Sequence, residues 1–382
     1  MSKIIIVLFH IFLSLELQLA KAQTWIKAGY WFSNSNFPIS DINSALFTHL
    51  ICAYAGVNSS SYELYVSSTD EQYFSNFTNT VRQKNPSVNT LLSIAGGIAN
   101  YTILSLMVSK ASYRKSFIDS SIKIARLYGF QGLDLCWVSA NTSSDMTNMG
   151  LLFQEWKAAV NSEAQQNSSQ KELILTAVVH YSPDLDFVSF PVDSIRSNLN
   201  WVHVKAYDYY NGWSKNTGAH AALYDPSSLS NTDFGIGAWI GSGLPASKLV
   251  LGLPFYGYAW TLTKPNDNAI GAPATDPTIN LGNFGSMRYK EIKNYVQRYG
   301  AAILYNATYV VNYCTVGSTW ISFDDVEVVR IKVSYAREKK LLGYFVWQVP
   351  YDDNWVLSLA GRRCYTLLGI IFDNFSLVRT LI

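Results

Sequence analysis

The chain has 382 residues, of which 49% are hydrophobic and only 15% are charged, and its formal net charge is +2 at pH 7. That composition supplies enough apolar surface for a large core and is not typical of a disordered chain. The near-neutral charge, without a basic stripe or cluster, argues against a nucleic-acid partner. The 5 histidines show no metal-ligand spacing and no glycine-rich loop suits a phosphate, so we expect neither a metal nor a cofactor.

The N-terminal residues have the features of a secretory signal peptide. Lys3 supplies a positive start, Ile4–Leu19 is an apolar run, and residues 20–22 read Ala-Lys-Ala, a small-x-small cleavage pattern. The strongly apolar part is short for a membrane span of about 20 residues. We therefore expect residues 1–22 to be removed, and the mature protein, which begins near Gln23, to be extracellular or vacuolar with no membrane partner.

Seven Asn-x-Ser/Thr sequons are compatible with this secretory route. We expect each of them to lie on the surface, where a glycan can be attached. The sequon asparagines are Asn58, Asn76, Asn100, Asn141, Asn167, Asn306 and Asn374.

The four cysteines are too few for a disulfide framework in a chain of this length. Four cysteines allow three complete pairings, and the sequence does not choose among them. Cys52 and Cys136 lie in apolar, strand-like runs, which favours buried free thiols at these two positions. The other two are Cys314 and Cys364.

Eight short apolar runs recur along the chain and are separated mainly by helix-like segments. Runs rich in Leu, Ile, Val and aromatic residues are typical of strands that are covered on both faces. Ser112–Tyr128 is a representative helix, because its apolar residues include the i, i+4 spacing. Alternation of eight strands with helices predicts a (β/α)8 TIM barrel, with a doubly wound open sheet as the alternative. The runs are Trp25–Trp31, Phe47–Tyr54, Thr90–Ala95, Gly132–Val138, Leu173–Val179, Trp201–Asp208, Leu249–Tyr256 and Leu341–Trp347.

One connection is too long for a barrel loop. About 60 residues separate Trp260 from a helix predicted to begin near Ser322, whereas such loops usually have about 2–6 residues. Within this stretch, Ala302–Val311 has the pattern of a strand and Tyr289–Arg298 that of a helix. We therefore expect residues 261–321 to form a small α+β insertion domain between strand seven and helix seven. Such an insertion rises from the C-terminal face of a barrel and forms one wall of a cleft.

The segment Phe130–Val138 carries the most informative side chains. Because side chains alternate along a strand, Asp134, Cys136 and Val138 share one face and the bulky apolar residues between them share the other. The apolar face suits packing against helices, so the first face points into the barrel, with Val138 at the end that carries active sites in barrel enzymes. An inward Asp134 is either catalytic or a structural acid satisfied by hydrogen bonds, and both interpretations stay open.

Seven motifs follow one another along the predicted strands. They are Ala28–Trp31, Phe47–Leu50, Leu92–Gly97, Gly129–Leu135, Ala206–Asp208, Leu251–Trp260 and Gly343–Trp347. In sequence and in order, these motifs resemble those of glycoside hydrolase family 18, and most closely those of the plant class V chitinases. The resemblance extends from about Trp25 to Ser358. The resemblance implies a TIM barrel with the insertion described above, and chitin-type oligosaccharides in its cleft. Residues 23–361 would form this unit, and residues 362–382 depart from the family.

The resemblance fails at the catalytic positions of the fourth strand. The family strand reads Asp-Gly-x-Asp-x-Asp-x-Glu, and its defined positions are occupied here by Gln131, Gly132, Asp134, Cys136 and Val138. The resemblance places the general acid at Val138, and the Asp that orients the substrate's N-acetyl group at Cys136. Only the middle Asp is kept, as Asp134.

Val138 has no proton to give to a leaving group. In the substrate-assisted mechanism of family 18, the N-acetyl oxygen of the sugar replaces the enzyme nucleophile, but a carboxylic acid must still protonate the leaving oxygen. A positioned acid contributes about 10²–10⁴-fold, so we expect chitinase activity by this route to be lost. The alternative is a relocated acid, for which Asp208, Asp324 and Asp325 are the candidates.

The sugar-binding positions of the family are largely kept. The resemblance implies that Trp347 is the floor of the central subsite, that Tyr207 donates a hydrogen bond to the N-acetyl oxygen, and that Asp208 binds nearby. Lys205 replaces a family Met, and we predict that it enters the cleft near Asp134 and offsets its charge. A solvated position at the strand end is the alternative for Lys205. The predicted carbohydrate site is Tyr30, Tyr54, Asp134, Lys205, Tyr207, Asp208, Tyr256 and Trp347.

These patterns predict a secreted, catalytically inactive chitinase-like lectin that binds chitin or other N-acetylglucosamine-type glycans. Its resemblance to plant chitinase-related agglutinins fits a role in defence or storage. Two alternatives stay open. One is a glycoside hydrolase with residual chitinase activity through another acid, and the other is a protein-binding enzyme inhibitor on the same fold. The sequence also leaves the oligomeric state open.

Overall fold

The computed structural model describes residues 25–33, 36–166, 170–185, 188–275 and 285–362. The predicted signal peptide, the C-terminal tail after Arg362, Cys364 and the sequons at Asn167 and Asn374 lie outside these residues. Within the described ranges, no helix combines the length and the apolar character that a membrane span requires.

The strands form a closed barrel and a second, smaller sheet. They are β1 (Ile26–Phe32), β2 (His49–Val57), β3 (Leu64–Tyr65), β4 (Asn89–Ala95), β5 (Gly132–Cys136), β6 (Ile174–His180), β7 (Asp184–Leu185), β8 (Val188–Ser189), β9 (Trp201–Lys205), β10 (Leu249–Pro254), β11 (Tyr256–Leu262), β12 (Ala274–Thr275), β13 (Ser286–Arg288), β14 (Leu304–Asn306), β15 (Val311–Val316), β16 (Thr319–Phe323) and β17 (Gly343–Trp347). Parallel pairing runs in the order β1, β2, β4, β5, β6, β9, β10 and β17, and β17 pairs with β1. The TIM barrel is therefore confirmed, and the open-sheet alternative is wrong because the ring closes.

The helices lie mainly between successive barrel strands. They are α1 (Ser68–Lys84), α2 (Tyr101–Ser109), α3 (Ala111–Leu127), α4 (Ser143–Gln166), α5 (Val192–Asn198), α6 (Thr232–Gly241), α7 (Tyr289–Tyr299), α8 (Val326–Glu338) and α9 (Val356–Ala360). The predicted helix Ser112–Tyr128 corresponds to α3 within one residue at each end.

The two faces of β5 are those that strand alternation predicts. Leu133, Leu135 and Trp137 are buried in the core between the barrel strands and the helices. Cys136 instead packs inside the barrel, in a separate cluster with residues of the other strands. The polar face of this strand therefore points to the barrel interior and to the cavity at its C-terminal end.

The long connection folds as a second, antiparallel sheet. Its strand order is β12-β11-β16-β15-β14, and β13 pairs with the free part of β11. Helix α7 lies between β13 and β14, as predicted. The sheet extends from Tyr256 to Phe323. It therefore begins before residue 261 and ends after residue 321, which were the predicted bounds of the insertion domain.

Two local predictions in this region are wrong. The expected strand Ala302–Val311 is a hairpin from β14 into β15, because Asn306 Oδ1 accepts hydrogen bonds from two backbone amides and turns the chain. The helix expected near Ser322 begins at Val326, because β16 occupies the earlier position and the Asp325 side chain caps the helix.

A buried ion pair joins α8 to the residue that follows β16. Lys332 Nζ lies 2.5 Å from Asp324 Oδ2 and 2.5 Å from the carbonyl oxygen of Ala221. Both charged side chains are almost fully buried. Each charge therefore depends on the other for compensation in an environment without water.

We predict that Lys332→Met lowers the free energy of unfolding by about 3–5 kcal/mol, because the Asp324 carboxylate is left buried and unpaired. The double variant Lys332→Met/Asp324→Asn removes that charge and should recover most of the loss. Thermal unfolding of the parent protein and both variants measures the effect. Equal losses in the single and double variants would contradict the prediction.

Candidate functional site

A cavity of about 190 Å³ opens at the C-terminal ends of the barrel strands, and we call it the central cavity. Asp134 lies beneath it and is fully buried. The barrel thus brings the predicted site residues and the two degenerate catalytic positions to one end. The predicted residues that line the cavity are Tyr30, Tyr54, Cys136, Val138, Lys205, Tyr207, Asp208, Tyr256 and Trp347.

Asp134 is held by four side chains from the barrel interior. Its Oδ2 accepts hydrogen bonds from Tyr30 Oη at 2.9 Å and from Ser93 Oγ at 2.7 Å. Its Oδ1 accepts from Thr176 Oγ1 at 2.7 Å and from His203 Nδ1 at 3.1 Å. Burial alone would raise the pKa of Asp134, but the hydrogen bonds, led by that of His203, hold it below its ordinary value. The geometry therefore favours a structural acid over a catalytic one.

The His203 imidazole reaches Asp134 as a neutral tautomer. Trp201 Nε1 can only donate, and it lies 3.0 Å from His203 Nε2, so Nε2 is the acceptor of this hydrogen bond. The ring proton must then sit on Nδ1, which donates it to Asp134. In a doubly protonated ring, Nε2 would also carry a hydrogen and could not accept the hydrogen bond from Trp201 Nε1.

Sequence reasoning missed Ser93, Thr176 and His203. A signal was present, because each is a polar side chain between two apolar neighbours in its strand. The parallel register sets Ser93 and Thr176 directly beside Asp134 on the two neighbouring strands.

The prediction that Lys205 offsets the charge of Asp134 is wrong. Lys205 Nζ pairs with Asp208 Oδ2 at 2.6 Å and lies 5.2 Å from the centre of the Tyr207 ring. Lys205 contacts Asp208 because of the backbone between them. Strand β9 ends at Lys205, and Asp208 has a left-handed conformation with φ of 66°, so side-chain alternation does not continue from one to the other. Lys205 nevertheless enters the cleft, as predicted, because it lines the central cavity.

Asp208 is an ionised carboxylate with three donors. Lys205 holds Oδ2, while the hydroxyls of Tyr256 and Tyr258 donate to Oδ1 at 2.5 and 3.1 Å. Burial would raise the pKa of Asp208, but the Lys205 charge and these hydrogen bonds lower it below its ordinary value. A carboxyl with a lowered pKa carries no proton near neutral pH and is a poor general acid.

The other two candidate acids are engaged outside the central cavity. Asp324 forms the buried pair with Lys332. Asp325 caps α8, accepts a hydrogen bond from Tyr289 Oη at 2.5 Å and pairs with Lys293 at 3.3 Å. Neither side chain lines the cavity.

The degenerate positions give the cavity one thiol and one hydrocarbon side chain. Cys136 Sγ lies 3.8 Å from Tyr54 Oη, and burial together with the Asp134 charge raises the pKa of this thiol to about 12. The thiol therefore stays protonated at physiological pH. Val138 presents only methyl groups to the same cavity. Neither of the two positions where the family has a carboxylate carries a carboxyl group in this chain.

Aromatic rings form the walls of the central cavity. Trp347 stacks on Tyr54 with 5.9 Å between ring centres and an interplanar angle of 25°, and it lies 5.4 Å from the Tyr30 ring. The Tyr207 and Tyr256 rings meet edge to face at 6.0 Å. Burial raises the pKa of these tyrosines well above the ordinary value, so their hydroxyls keep their protons. Flat rings beside hydroxyl donors suit the faces and oxygens of sugars.

Two further cavities adjoin the central one, and the three together form what we call the cleft. A cavity of about 360 Å³ shares Tyr54 with the central cavity and lies between the second and third barrel strands. A cavity of about 460 Å³ shares Tyr256 and Trp347 and is walled by the insertion. The cleft therefore extends across the mouth of the barrel, as an oligomeric ligand would require.

The remaining sequence predictions have mixed outcomes. Asn58, Asn76, Asn100 and Asn141 are exposed and Asn306 is half-buried, so glycosylation at these positions stays a prediction. Cys52 is a buried free thiol, as expected, whereas Cys136 is a free thiol that is only half-buried, because it borders the central cavity. Among the described residues, no group of three or more His, Cys, Asp or Glu side chains could hold a metal ion.

Comparison with known proteins identifies the family of this closed barrel with its α+β wall. A family model described as "Glycosyl hydrolases family 18" matches residues 26–352, and the chain belongs to this family. A class V chitinase of Arabidopsis thaliana is 47% identical over 366 residues, which cover 95% of this chain and 96% of that protein. The resemblance to the plant class V chitinases is thereby confirmed.

Solved structures extend the likeness to proteins with bound sugars and to an agglutinin. A class V chitinase mutant from Nicotiana tobaccum in complex with NAG4 is 47% identical, with a TM-score of 0.86, over 88% of this chain and 98% of that chain. A chitinase-like agglutinin from Robinia pseudoacacia is 43% identical, with a TM-score of 0.82, over 88% of this chain and 98% of that chain.

We predict that Asp134→Asn makes the stability of the barrel less sensitive to acid. Because the pKa of Asp134 in the folded state lies below its ordinary value of 3.8, the ionised group stabilises the fold above that value. This stabilisation is lost as the pH falls through the lower folded-state pKa. The parent protein should therefore lose more stability than the variant between roughly pH 5 and pH 2.

Unfolding midpoints measured across that pH range test the Asp134 prediction. Asp119→Asn is the matched control, because Asp119 forms only an exposed ion pair with Lys115. This control should keep the acid sensitivity of the parent protein. Parallel curves for the parent and Asp134→Asn would refute the assigned role.

Proposed function

We propose that this protein binds chitin-type oligosaccharides in its cleft and does not hydrolyse them. The observation that carries the proposal is Val138, a hydrocarbon side chain that lines the aromatic cavity at the position of the family's general acid. The chitinase-like fold supports the ligand class. The missing proton donor supports the loss of hydrolysis.

The walls of the cavity support sugar binding. Trp347 offers a flat ring and Tyr207 offers a hydroxyl donor, whereas the Tyr256 hydroxyl is already donated to Asp208. Structures of related proteins are solved with NAG4 or (GlcNAc)3 bound, and one relative is a chitinase-like agglutinin. A lectin function for this chain is consistent with both kinds of relative.

The charges in the cavity argue against hydrolysis independently of the missing acid. In the substrate-assisted mechanism, positive charge develops on the sugar as the leaving group departs. Cys136 is a neutral thiol that cannot balance the developing charge. The Asp208 carboxylate, which also lines the cavity, is already compensated by its ion pair with Lys205. The site therefore stabilises a neutral bound sugar better than a cationic transition state.

We predict that Trp347→Ala weakens binding of a chitin tetrasaccharide by at least about tenfold, since stacking on the central ring is lost. Titration calorimetry measures the affinity. Tyr305→Ala is the matched control, because Tyr305 is an exposed aromatic residue that lines none of the three cavities of the cleft. Unchanged affinity in a folded Trp347→Ala protein would show that ligands bind elsewhere.

We predict that the parent protein releases no products from chitin hexasaccharide, whereas Cys136→Asp/Val138→Glu gains hydrolysis. The restored acid should contribute about 10²–10⁴-fold over the same protein with only Cys136→Asp. Adding Lys205→Met should increase the rate further, because the Lys205 cation would otherwise depress the pKa of the introduced acid. Product release is followed by mass spectrometry.

Hydrolysis by the parent protein would revive the alternative of a relocated acid. Asp208→Asn then serves as the decisive control, because Asp208 is the candidate acid that lines the central cavity. Loss of this activity in Asp208→Asn would identify the acid. Activity that survives would trace to a contaminating enzyme or to another carboxyl.

A further inference from the structure

One sequon asparagine lines the cleft itself. Asn100 is exposed and belongs to the wall of the 360 Å³ cavity that shares Tyr54 with the central cavity. Its Oδ1 accepts a hydrogen bond from Thr102 N at 3.0 Å and so caps α2. This cap fixes the orientation of the amide and leaves Nδ2, the atom that carries an N-linked glycan, free to be modified.

The wall of this cavity suits a sugar that starts at Asn100. Tyr65 is 48% exposed, and its ring lies over Gly56, where a Cβ would come within 2.6 Å of the ring. The ring therefore packs against Gly56, which leaves room for it, and about half of the residue stays exposed at the cavity. Ser67 and Asp70 add hydroxyl and carboxylate groups that can bind sugar hydroxyls.

The other sequons in the described ranges lack this placement. Asn58, Asn76, Asn141 and Asn306 line none of the three cavities of the cleft. A glycan at any of them would extend into solvent from the outer surface. Asn100 is thus the described position at which glycosylation and ligand binding meet.

We propose that Asn100 carries an N-linked glycan whose first sugars occupy this cavity and close one end of the cleft. The effect on ligands rests on the proposed function, whereas the position of the glycan does not. Oligosaccharides long enough to extend from the central cavity past Tyr54, as well as into the cavity walled by the insertion, lose contacts to the glycan. Short oligosaccharides that remain in the central cavity bind unchanged. Glycosylation thereby sets the ligand length that the cleft accepts.

The test uses the secreted, glycosylated full chain and substitutions at Thr102. Thr102→Ala removes the sequon but keeps Asn100 and its backbone cap, whereas Thr102→Ser keeps the sequon. Thr102 is exposed, so neither change should disturb the fold. Thr308→Ala is a second control, because it removes the Asn306 sequon in the insertion.

Three measurements decide the proposal. Glycopeptide mass spectrometry should find Asn100 modified in the parent and Thr102→Ser proteins. Tetranitromethane should nitrate Tyr65 several-fold faster in Thr102→Ala than in Thr102→Ser. Thr102→Ala should bind chitin hexasaccharide roughly tenfold more tightly, about 1.4 kcal/mol, with unchanged affinity for the trisaccharide. Thr308→Ala should match the parent protein in all three.

The outcomes separate the two proposals. An unmodified Asn100, or equal nitration of Tyr65 with and without the sequon, overturns the assigned glycan position whatever the sugar affinities are. A modified Asn100 with equal hexasaccharide affinity overturns its effect on ligand length. If no variant binds chitin oligosaccharides while Tyr65 is protected, the proposed function fails and the glycan position stands.

Discussion

A single buried carboxylate connects five of the eight barrel strands. From the fourth barrel strand, Asp134 accepts hydrogen bonds from Tyr30, Ser93, Thr176 and His203, on the first, third, fifth and sixth. Each donor would cost about 1–3 kcal/mol if it were left unpaired in the dry interior. The carboxylate therefore fixes the layer of side chains directly beneath the cavity, and the positions of the cleft residues depend on that layer.

The hydrogen bonds of Asp134 do not involve the two altered catalytic positions that follow it in the chain. Cys136 lies two residues beyond Asp134, roughly 7 Å along the strand, and Val138 follows just past the strand end. Neither residue takes part in the hydrogen bonds of Asp134. Both positions can therefore lose their carboxylates while the strand keeps its partners, which explains how a complete barrel and cleft coexist with a hydrocarbon at the acid position.

The sequence was sufficient for the barrel and for the direction of side chains along β5, because apolar runs and strand alternation depend on local pattern alone. It was not sufficient for contacts that depend on backbone conformation. The ion pair of Lys205 requires the left-handed residue Asp208, which ends the alternation on which the prediction relied. The His203 contact joins strands far apart in the chain, and the hairpin at Asn306 was hidden within an apolar pattern.

The ion pair between Lys205 and Asp208 also constrains any redesign of the cavity. A carboxyl placed at position 138 would lie in the same cavity as the Lys205 ammonium group, which favours the ionised form of an acid. Removing Lys205 would in turn leave the Asp208 carboxylate without its cation. The residues at and just beyond the ends of β5 and β9 are therefore coupled through charge, and the protonation of a group at one depends on the residues kept at the other.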